Sequence, residues 1–296
     1  MPCSKKVFVT GATGLIGKEL LKPLIKAGFD VFALTIEDNN PAVSGIHWVK
    51  GNLFDELFIA RTLAEVQPSH LLNMAWCANG DYANANMNFD FVRAGLSLLK
   101  YFSQNGGKRA VFAGTCFEYA AKNESLIETD PLTDNTAYAY CKSSLWGLAQ
   151  MFCRQNHISF GYGRIFYVYG RREHPSRLTA GIIHALRTGQ PYEIKFSQLR
   201  RDYMYSKDIA GAFVKLLDSP VEGAVNICTG KAVSLAEYAT VLGTLLHRPD
   251  LLVLKQEPTS QPLTIVGDNT RLTQEVGFVP RYCLEEGLRE IVEDNQ

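Results

Sequence analysis

Hydrophobic and polar positions follow two rhythms along the first half of the chain. Short apolar runs at residues 7–10, 31–34, 47–49, 70–74 and 110–113 have the length of buried strands. Between them, over 15–27, 57–66, 89–104 and 138–155, apolar residues recur three and four positions apart. That is the period of a helix with one buried face. Strands alternating with helices predict an α/β fold, a parallel sheet covered on both faces. Residues 158–166 supply another strand. The later chain is more mixed. It predicts helices over 176–188, 206–217 and 234–246, strands over 192–196 and 224–228, and a short helix over 271–278 closed by Gly277. No repeat or low-complexity linker interrupts it.

The first strand runs into Gly11-Ala12-Thr13-Gly14-Leu15-Ile16-Gly17, and the helical period starts there. A strand, a tight glycine turn and a helix start in succession predict dinucleotide binding. Gly11 permits the turn, Gly14 lets backbone approach a diphosphate, and Gly17 packs helix against strand. The helix start offers N–H groups to the phosphates. A second constellation is Tyr138-Ala139-Tyr140-Cys141-Lys142 at the head of the fourth helix. Positions four apart share a face, so Tyr138 and Lys142 point the same way. A cation beside a phenol lowers its pKa, which suits Tyr138 to proton transfer. The fifth strand ends at Thr115, whose hydroxyl can bond the same substrate oxygen.

Composition narrows the partners. The chain has 296 residues, 46% hydrophobic and 20% charged, with formal net charge zero. Neutrality argues against nucleic acid or an acidic membrane as a main partner. No apolar stretch nears membrane-spanning length and no signal segment is evident, so a cytoplasmic protein is expected. Seven cysteines without a C-x-x-C spacing fit reduced thiols. Cys116 lacks a histidine partner for nucleophilic work. The six histidines show no metal-ligand spacing, so no metal is expected. His157, His174 and His184 read as surface or packing residues, as do His47 and Trp48.

Beyond these motifs, several segments resemble the extended short-chain dehydrogenase/reductase superfamily, in its sugar-nucleotide epimerase/dehydratase branch. Gly51-Asn52-Leu53 sits where that family has G-D-L. Leu71-Leu72-Asn73-Met74-Ala75 sits where it has H-L-A-A. Residues 163–170 resemble L-R-x-x-N-V-Y-G, and 201–208 resemble R-D-F-I-Y-V-D-D. The resemblance covers nearly the whole chain. It implies a Rossmann-type doubly wound sheet with a smaller mixed α/β substrate lobe. Residues 1–165 would form the dinucleotide-binding unit and 166–296 mainly the lobe, with about 206–230 returning to the first unit. It implies a cofactor site at Gly11, Thr13, Gly14, Leu15, Ile16, Gly17, Thr35, Asn52, Leu53, Met74, Ala75, Tyr138 and Lys142. It also implies a homodimer through the helices at 89–104 and 138–155.

Two details bear on the chemistry. Thr35 stands where an acid would bond the ribose of NAD and repel a 2′-phosphate. Ile36 stands where an arginine would welcome that phosphate, while Glu37 and Asp38 lie just beyond. NADP is therefore favoured over NAD. The family's dehydratases carry Thr-Asp-Glu after the fifth strand, and here Cys116 and Phe117 occupy the two acid positions. That leaves a 4-ketoreductase or a 4-epimerase, and the pattern looks closest to deoxysugar-pathway reductases. The expected reaction is reduction of a 4-keto-6-deoxy sugar nucleotide, with Thr115, Tyr138 and Lys142 catalytic. Thr115, Cys116, Phe117, Tyr167, Arg177, Arg201 and Asp208 are the substrate-binding candidates, with Arg201 and Asp208 foremost and Arg177 and Arg200 weaker. Tyr167 replaces the family's asparagine at the diphosphate, and residues 192–196 occupy its nucleobase-edge strand. A dinucleotide-binding protein without catalysis is the reading from another class.

Overall fold

The computed structural model describes residues 5–38, 40, 43–78, 80–120, 122 and 124–294. Its first half runs β1 (Lys5–Thr10), α1 (Gly17–Lys26), β2 (Phe29–Thr35), β3 (Ile46–Lys50), α2 (Glu56–Val66), β4 (His70–Asn73), α3 (Met87–Gln104), β5 (Arg109–Thr115), α4 (Ala137–Gln155) and β6 (Ser159–Ile165). There follow β7 (Tyr167–Tyr169), α5 (Leu178–Arg187), β8 (Tyr192–Ile194), β9 (Arg200–Arg201), β10 (Tyr203–Tyr205), α6 (Ser206–Leu217) and β11 (Gly223–Ile227). The last elements are β12 (Val233–Ser234), α7 (Leu235–Leu245), β13 (Leu252–Leu254), β14 (Thr264–Ile265) and α8 (Leu284–Asp294). Over 271–278 the expected helix is a short π-helical turn, Arg271–Glu275, and Gly277 beyond it has φ +71°.

Seven strands form one parallel sheet in the order β11-β6-β5-β4-β1-β2-β3. The alternation in β1 divides the core. Val7 and Val9 face α1 and α6, among Leu20, Leu24 and Phe213. Phe8 faces the opposite side, with Leu63, Leu98, Phe112 and Leu145 from α2, α3, β5 and α4. Strand order reverses between β1 and β4, which opens a crevice at their carboxyl ends. The expected return of the late chain is visible here, since α6 packs on the sheet and β11 forms its edge beside β6. A separate core of Ile182, Leu186, Tyr238, Leu242, Leu288 and Ile291 joins α5, α7 and α8 in a smaller lobe. Its strands pair in three short ladders, β10 with β7, β13 with β8, and β9 between β12 and β14.

One buried ion pair fixes the end of β5. Glu118 lies in a 3-10 turn, Cys116–Glu118, and is fully buried. Its carboxylate accepts from the Thr115 backbone N–H (2.8 Å), the Tyr162 hydroxyl (2.9 Å) and Arg164 Nε (2.9 Å). Arg164 also donates to the Tyr119 hydroxyl and the Glu128 carbonyl, each at 3.0 Å. Removing one member leaves an uncompensated buried charge, whereas an apolar pair of similar volume can be nearly neutral. Arg164→Met should therefore destabilise the protein by about 3–5 kcal/mol in urea unfolding. Glu118→Leu added to it should recover part of that loss; further destabilisation would count against the charge argument.

Candidate functional site

The carboxyl ends of β1, β4, β5 and β6 open into a cleft of about 480 Å³. That volume suits a small-molecule site. The glycine turn forms one wall. Gly11 has φ +70°, and a side chain there would place Cβ 2.7 Å from the Ala75 backbone nitrogen. A Cβ at Gly17 would lie 1.9 Å from the Gly11 carbonyl oxygen. These two glycines are required by the turn itself. Gly14 differs, because its Cβ would meet only the Gly11 oxygen, at 3.3 Å, and it borders the open cleft. Helix α1 starts at Ile16 with no side chain capping it. The Lys18 and Glu19 N–H groups donate to the Gly14 (3.1 Å) and Ile16 (3.0 Å) carbonyls, which leaves those of Leu15, Ile16 and Gly17 at the turn to fit the diphosphate of a dinucleotide.

The opposite wall is aromatic. Thr136 caps α4 by accepting from the Ala139 N–H (3.1 Å), and the Tyr138 N–H donates to the Ala83 carbonyl (2.9 Å). The Tyr138 ring is thereby held edge-on to Tyr82 (5.0 Å), Trp76 (6.2 Å) and Phe117 (6.4 Å). Its hydroxyl shares a hydrogen bond with Thr115. Lys142 is buried, donates from Nζ to the Ala113 carbonyl (2.7 Å), and sits 3.9 Å from the Trp76 ring centroid. Tyr138 and Lys142 do share a helix face, but their titration differs from the sequence expectation. Burial pushes the Tyr138 phenol above its ordinary value, although the Thr115 bond opposes this. Burial also draws Lys142 down to about 7, with Glu118 opposing. The pocket is apolar enough to disfavour both charged forms.

The structure brings most of the expected residues together. Gly11, Gly14, Leu15, Ile16, Gly17, Met74, Thr115, Phe117, Tyr138, Lys142, Tyr167 and Arg177 line the cleft. Thr13 lines a smaller cavity on the outer side of the turn, and Ala75 packs against Gly11. Arg177 reaches the Ala78 carbonyl across the mouth, over the Tyr82 ring. Thr35, Asn52 and Leu53 lie at the carboxyl ends of β2 and β3, beyond this cleft. Thr35 is buried and spends its hydroxyl locally, donating to Asn40 (2.9 Å) and accepting from the Glu37 N–H (3.0 Å). Asn52 accepts from the Phe54 N–H at 3.0 Å, and Leu53 packs on the core.

Three substrate-binding candidates, Arg201, Asp208 and Cys116, are not among the residues that line this cleft. Arg201 is buried, and its guanidinium donates to the carbonyls of Arg200 (2.8 Å), Pro262 (3.1 Å) and Leu263 (3.3 Å) and to Gln261 (3.2 Å). Its fork holds a loop, while the guanidinium lies 5.6 Å from the ring centroid of Tyr167, which lines the cleft. Asp208 accepts from the N–H groups of Arg281 (2.8 Å) and Tyr282 (2.9 Å), tying α6 to the approach to α8. Cys116 is buried with Tyr119, Leu126, Phe166 and Cys228, and burial pushes its thiol up. Trp76, Tyr82, Arg172, Glu173 and His174 also line the cleft, and the sequence reading missed all five. Trp76 lies just past β4, at the edge where such sheets bind ligands, and that position was a usable signal. The loop carrying Arg172, Glu173 and His174 has no period to read, and His174 had been taken as surface or packing.

Comparison with known proteins places the chain. The family model described as "NAD dependent epimerase/dehydratase family" matches residues 7–228. The chain belongs to this family. CDP-abequose synthase of Salmonella typhimurium is 23% identical, covering 97% of each chain. The dTDP-4-dehydro-6-deoxyglucose reductase of Escherichia coli is 20% identical, covering 97% of this chain and 96% of the relative. Among solved structures, a UDP-N-acetylglucosamine 4-epimerase from Methanobrevibacter ruminantium in complex with UDP-N-acetylmuramic acid superposes with TM-score 0.87. It is 23% identical over 98% of this chain and 97% of that one. A Thermus thermophilus UDP-glucose 4-epimerase in complex with NAD gives 0.83 at 23% identity, over 97% and 98%. The Rossmann-type fold is thus shared with epimerases of the family. Among the described residues no helix is long and apolar enough to cross a membrane, and no cluster of side chains could hold a metal ion.

Two expectations follow from this geometry. Gly14→Val should abolish dinucleotide binding in a fluorescence titration while the protein still folds, because its side chain occupies the cleft. Gly17→Ala should instead lower the melting temperature sharply. Glu173 gives a pH test. Burial raises its carboxyl from 4.5 to about 7, against hydrogen bonds from Thr179 and the Gly170 N–H. The folded state then binds this proton more tightly than the unfolded chain, so the group's contribution to stability falls as pH rises from 4.5 to about 7. Glu173→Gln should flatten that decline in unfolding free energy measured across the same window.

Proposed function

We propose that the protein reduces the C4 keto group of a nucleotide-activated 4-keto-6-deoxy sugar, using a nicotinamide dinucleotide. The observation that carries this is the Tyr138–Thr115 hydroxyl pair in the cleft, on a phenol that burial keeps protonated. A carbonyl reduction starts from a protonated acid. An epimerase begins by removing a proton from a sugar hydroxyl and needs the phenolate first. The two positions after Thr115 support the same side. Cys116 is buried, Phe117 is aromatic, and Glu118 is committed to Arg164, so none supplies the acid and base of a dehydration.

When bound, a reduced nicotinamide supplies the hydride taken up by the carbonyl carbon. The chain's own part is positional. Thr115 orients the carbonyl oxygen and Tyr138 donates its proton to the forming alkoxide. Lys142, fixed between the Ala113 carbonyl and Trp76, would in its protonated form stabilise the phenolate left when Tyr138 gives up its proton. Trp76, Tyr82, Phe117 and Tyr167 exclude water and offer apolar faces to a 6-deoxy sugar, while Arg177 closes the mouth. Relatives named for CDP-, dTDP- and GDP-linked deoxysugars suit a sugar-nucleotide substrate.

NADP is the favoured cofactor in this reading. Thr35 carries no charge against a 2′-phosphate, and Lys50, paired with it across β2 and β3, places a cation at that edge. In the ligand-free protein Lys50 pairs with Asp38. An assembly of two copies through α3 and α4 fits the exposed Phe89, Tyr140, Leu148 and Met151. A cytoplasmic setting suits the cofactor and the free cysteines Cys77, Cys116, Cys141, Cys153, Cys228 and Cys283.

The epimerase reading has one observation in its favour: solved relatives of this fold are epimerases, one of them holding NAD. Turnover separates the two. The purified protein should consume NADPH stoichiometrically with a 4-keto-6-deoxy sugar nucleotide and give one C4 configuration. Tyr138→Phe should lower that rate by about 10²-fold or more, the scale of general acid catalysis, with little change in substrate affinity. Tightly held NAD that survives gel filtration, with interconversion of two sugar epimers and no added cofactor, would decide for the epimerase.

A further inference from the structure

Arg172 stands apart from every charged residue around it. It is a non-glycine residue in the left-handed region, with φ +61°, and its side chain is exposed. Such a backbone persists only where its surroundings impose it, and it gathers at functional sites. Both neighbours are pinned. Arg171 pairs with Asp294 (2.9 Å) and Glu290 (3.6 Å) on α8. Glu173 accepts from the Gly170 N–H (3.0 Å). Between them, Arg172 makes no hydrogen bond or ion pair among the described residues.

Its position explains what an unpaired cation can do there. Arg172 lines the main cleft, and it also lines the smaller cavity bordered by Thr13, Gly14 and Leu15. It therefore lies beside the glycine turn and the first turn of α1, with Arg171 lining the same cavity. Lys18, Glu19 and the engaged Asp294 complete that cavity. A guanidinium offers a planar fork of donors that matches phosphate oxygens. We propose that Arg172 is a cofactor-binding residue that grips the diphosphate of the dinucleotide from the lobe side, closing the two halves of the cleft over it. The assignment rests on the dinucleotide reading above.

The shared chemistry is a diphosphate, which a cofactor or a sugar nucleotide could present, and the test separates them. Wild type, Arg172→Gly and Arg172→Asn are titrated with NADPH, NADH, ADP-ribose, UDP and dTDP by calorimetry, and their melting temperatures recorded. Glycine and asparagine both tolerate the left-handed backbone, so melting should hold or rise. Affinity for ADP-ribose and for the tighter of the two dinucleotides should fall about 10- to 100-fold, the scale of a lost charged hydrogen bond. UDP and dTDP binding should be unchanged, and Arg172→Lys should restore part of the loss. Unchanged dinucleotide affinity in folded Arg172→Gly overturns the assignment and leaves the dinucleotide reading standing. A loss confined to UDP or dTDP overturns it in favour of the substrate. Wild type that binds neither dinucleotide nor ADP-ribose overturns both readings.

Discussion

The architecture of the cleft depends on the ion pair between Glu118 and Arg164. A carboxylate and a guanidinium taken out of water must satisfy each other and their remaining hydrogen bonds. Here they do so by recruiting the end of β5, the body of β6 and the loop that carries Glu128. Thr115 is thereby fixed at a strand end with its hydroxyl turned to Tyr138. The single proton of the Tyr162 hydroxyl is shared between Glu118 (2.9 Å) and the Lys142 carbonyl (3.0 Å), which ties α4 to the same anchor. Two reactive groups on separate elements are held by one buried charge pair that never enters the chemistry.

Around that anchor the cleft treats charge unevenly. On the Tyr138 side, rings of Trp76, Tyr82 and Phe117 surround a phenol and an amine, and burial favours the neutral form of each. On the glycine side the wall is largely backbone that presents N–H donors. Arg172, His174 and Arg177 stand between. A charged, phosphate-bearing molecule with an uncharged reacting end would lie comfortably across such a gradient.

The sequence revealed what depends on local spacing. Gly11, Gly14 and Gly17 are tied by turn geometry, Tyr138 and Lys142 by helical repeat, and Thr115 by a strand end; each relation spans few residues. The parallel sheet followed from two hydrophobic periods in the same way. Arg201 and Asp208 were not placed by sequence, because a charge in a plausible motif looks the same whether it grips a ligand or a loop. Only the partners at 261–263 and 281–282, some 60 and 70 positions away, settle which. Glu173 was hidden for the same reason, since it lies in a loop with no period, whereas Trp76 stood at a readable place just past β4. The pKa of Tyr138 went the other way because burial, which a sequence does not report, outweighs the opposing effect of the Thr115 hydroxyl.

The late return of α6 and β11 to the sheet has a consequence for how the chain is made. The open edge of β6 is covered only when residues 223–227 arrive. Most of the smaller lobe's first strands and α5 are synthesised before that. A ribosome building the chain from its amino end therefore exposes an unpaired strand edge for more than fifty residues of synthesis, and such an edge invites pairing with other chains. Gly161 and Gly163 alternate with Phe160 and Tyr162 along β6, so the face awaiting α6 carries Ile165 as its one large apolar side chain during that interval. The same two glycines that let Phe213 and Leu216 settle against the finished sheet make its unfinished edge less adhesive.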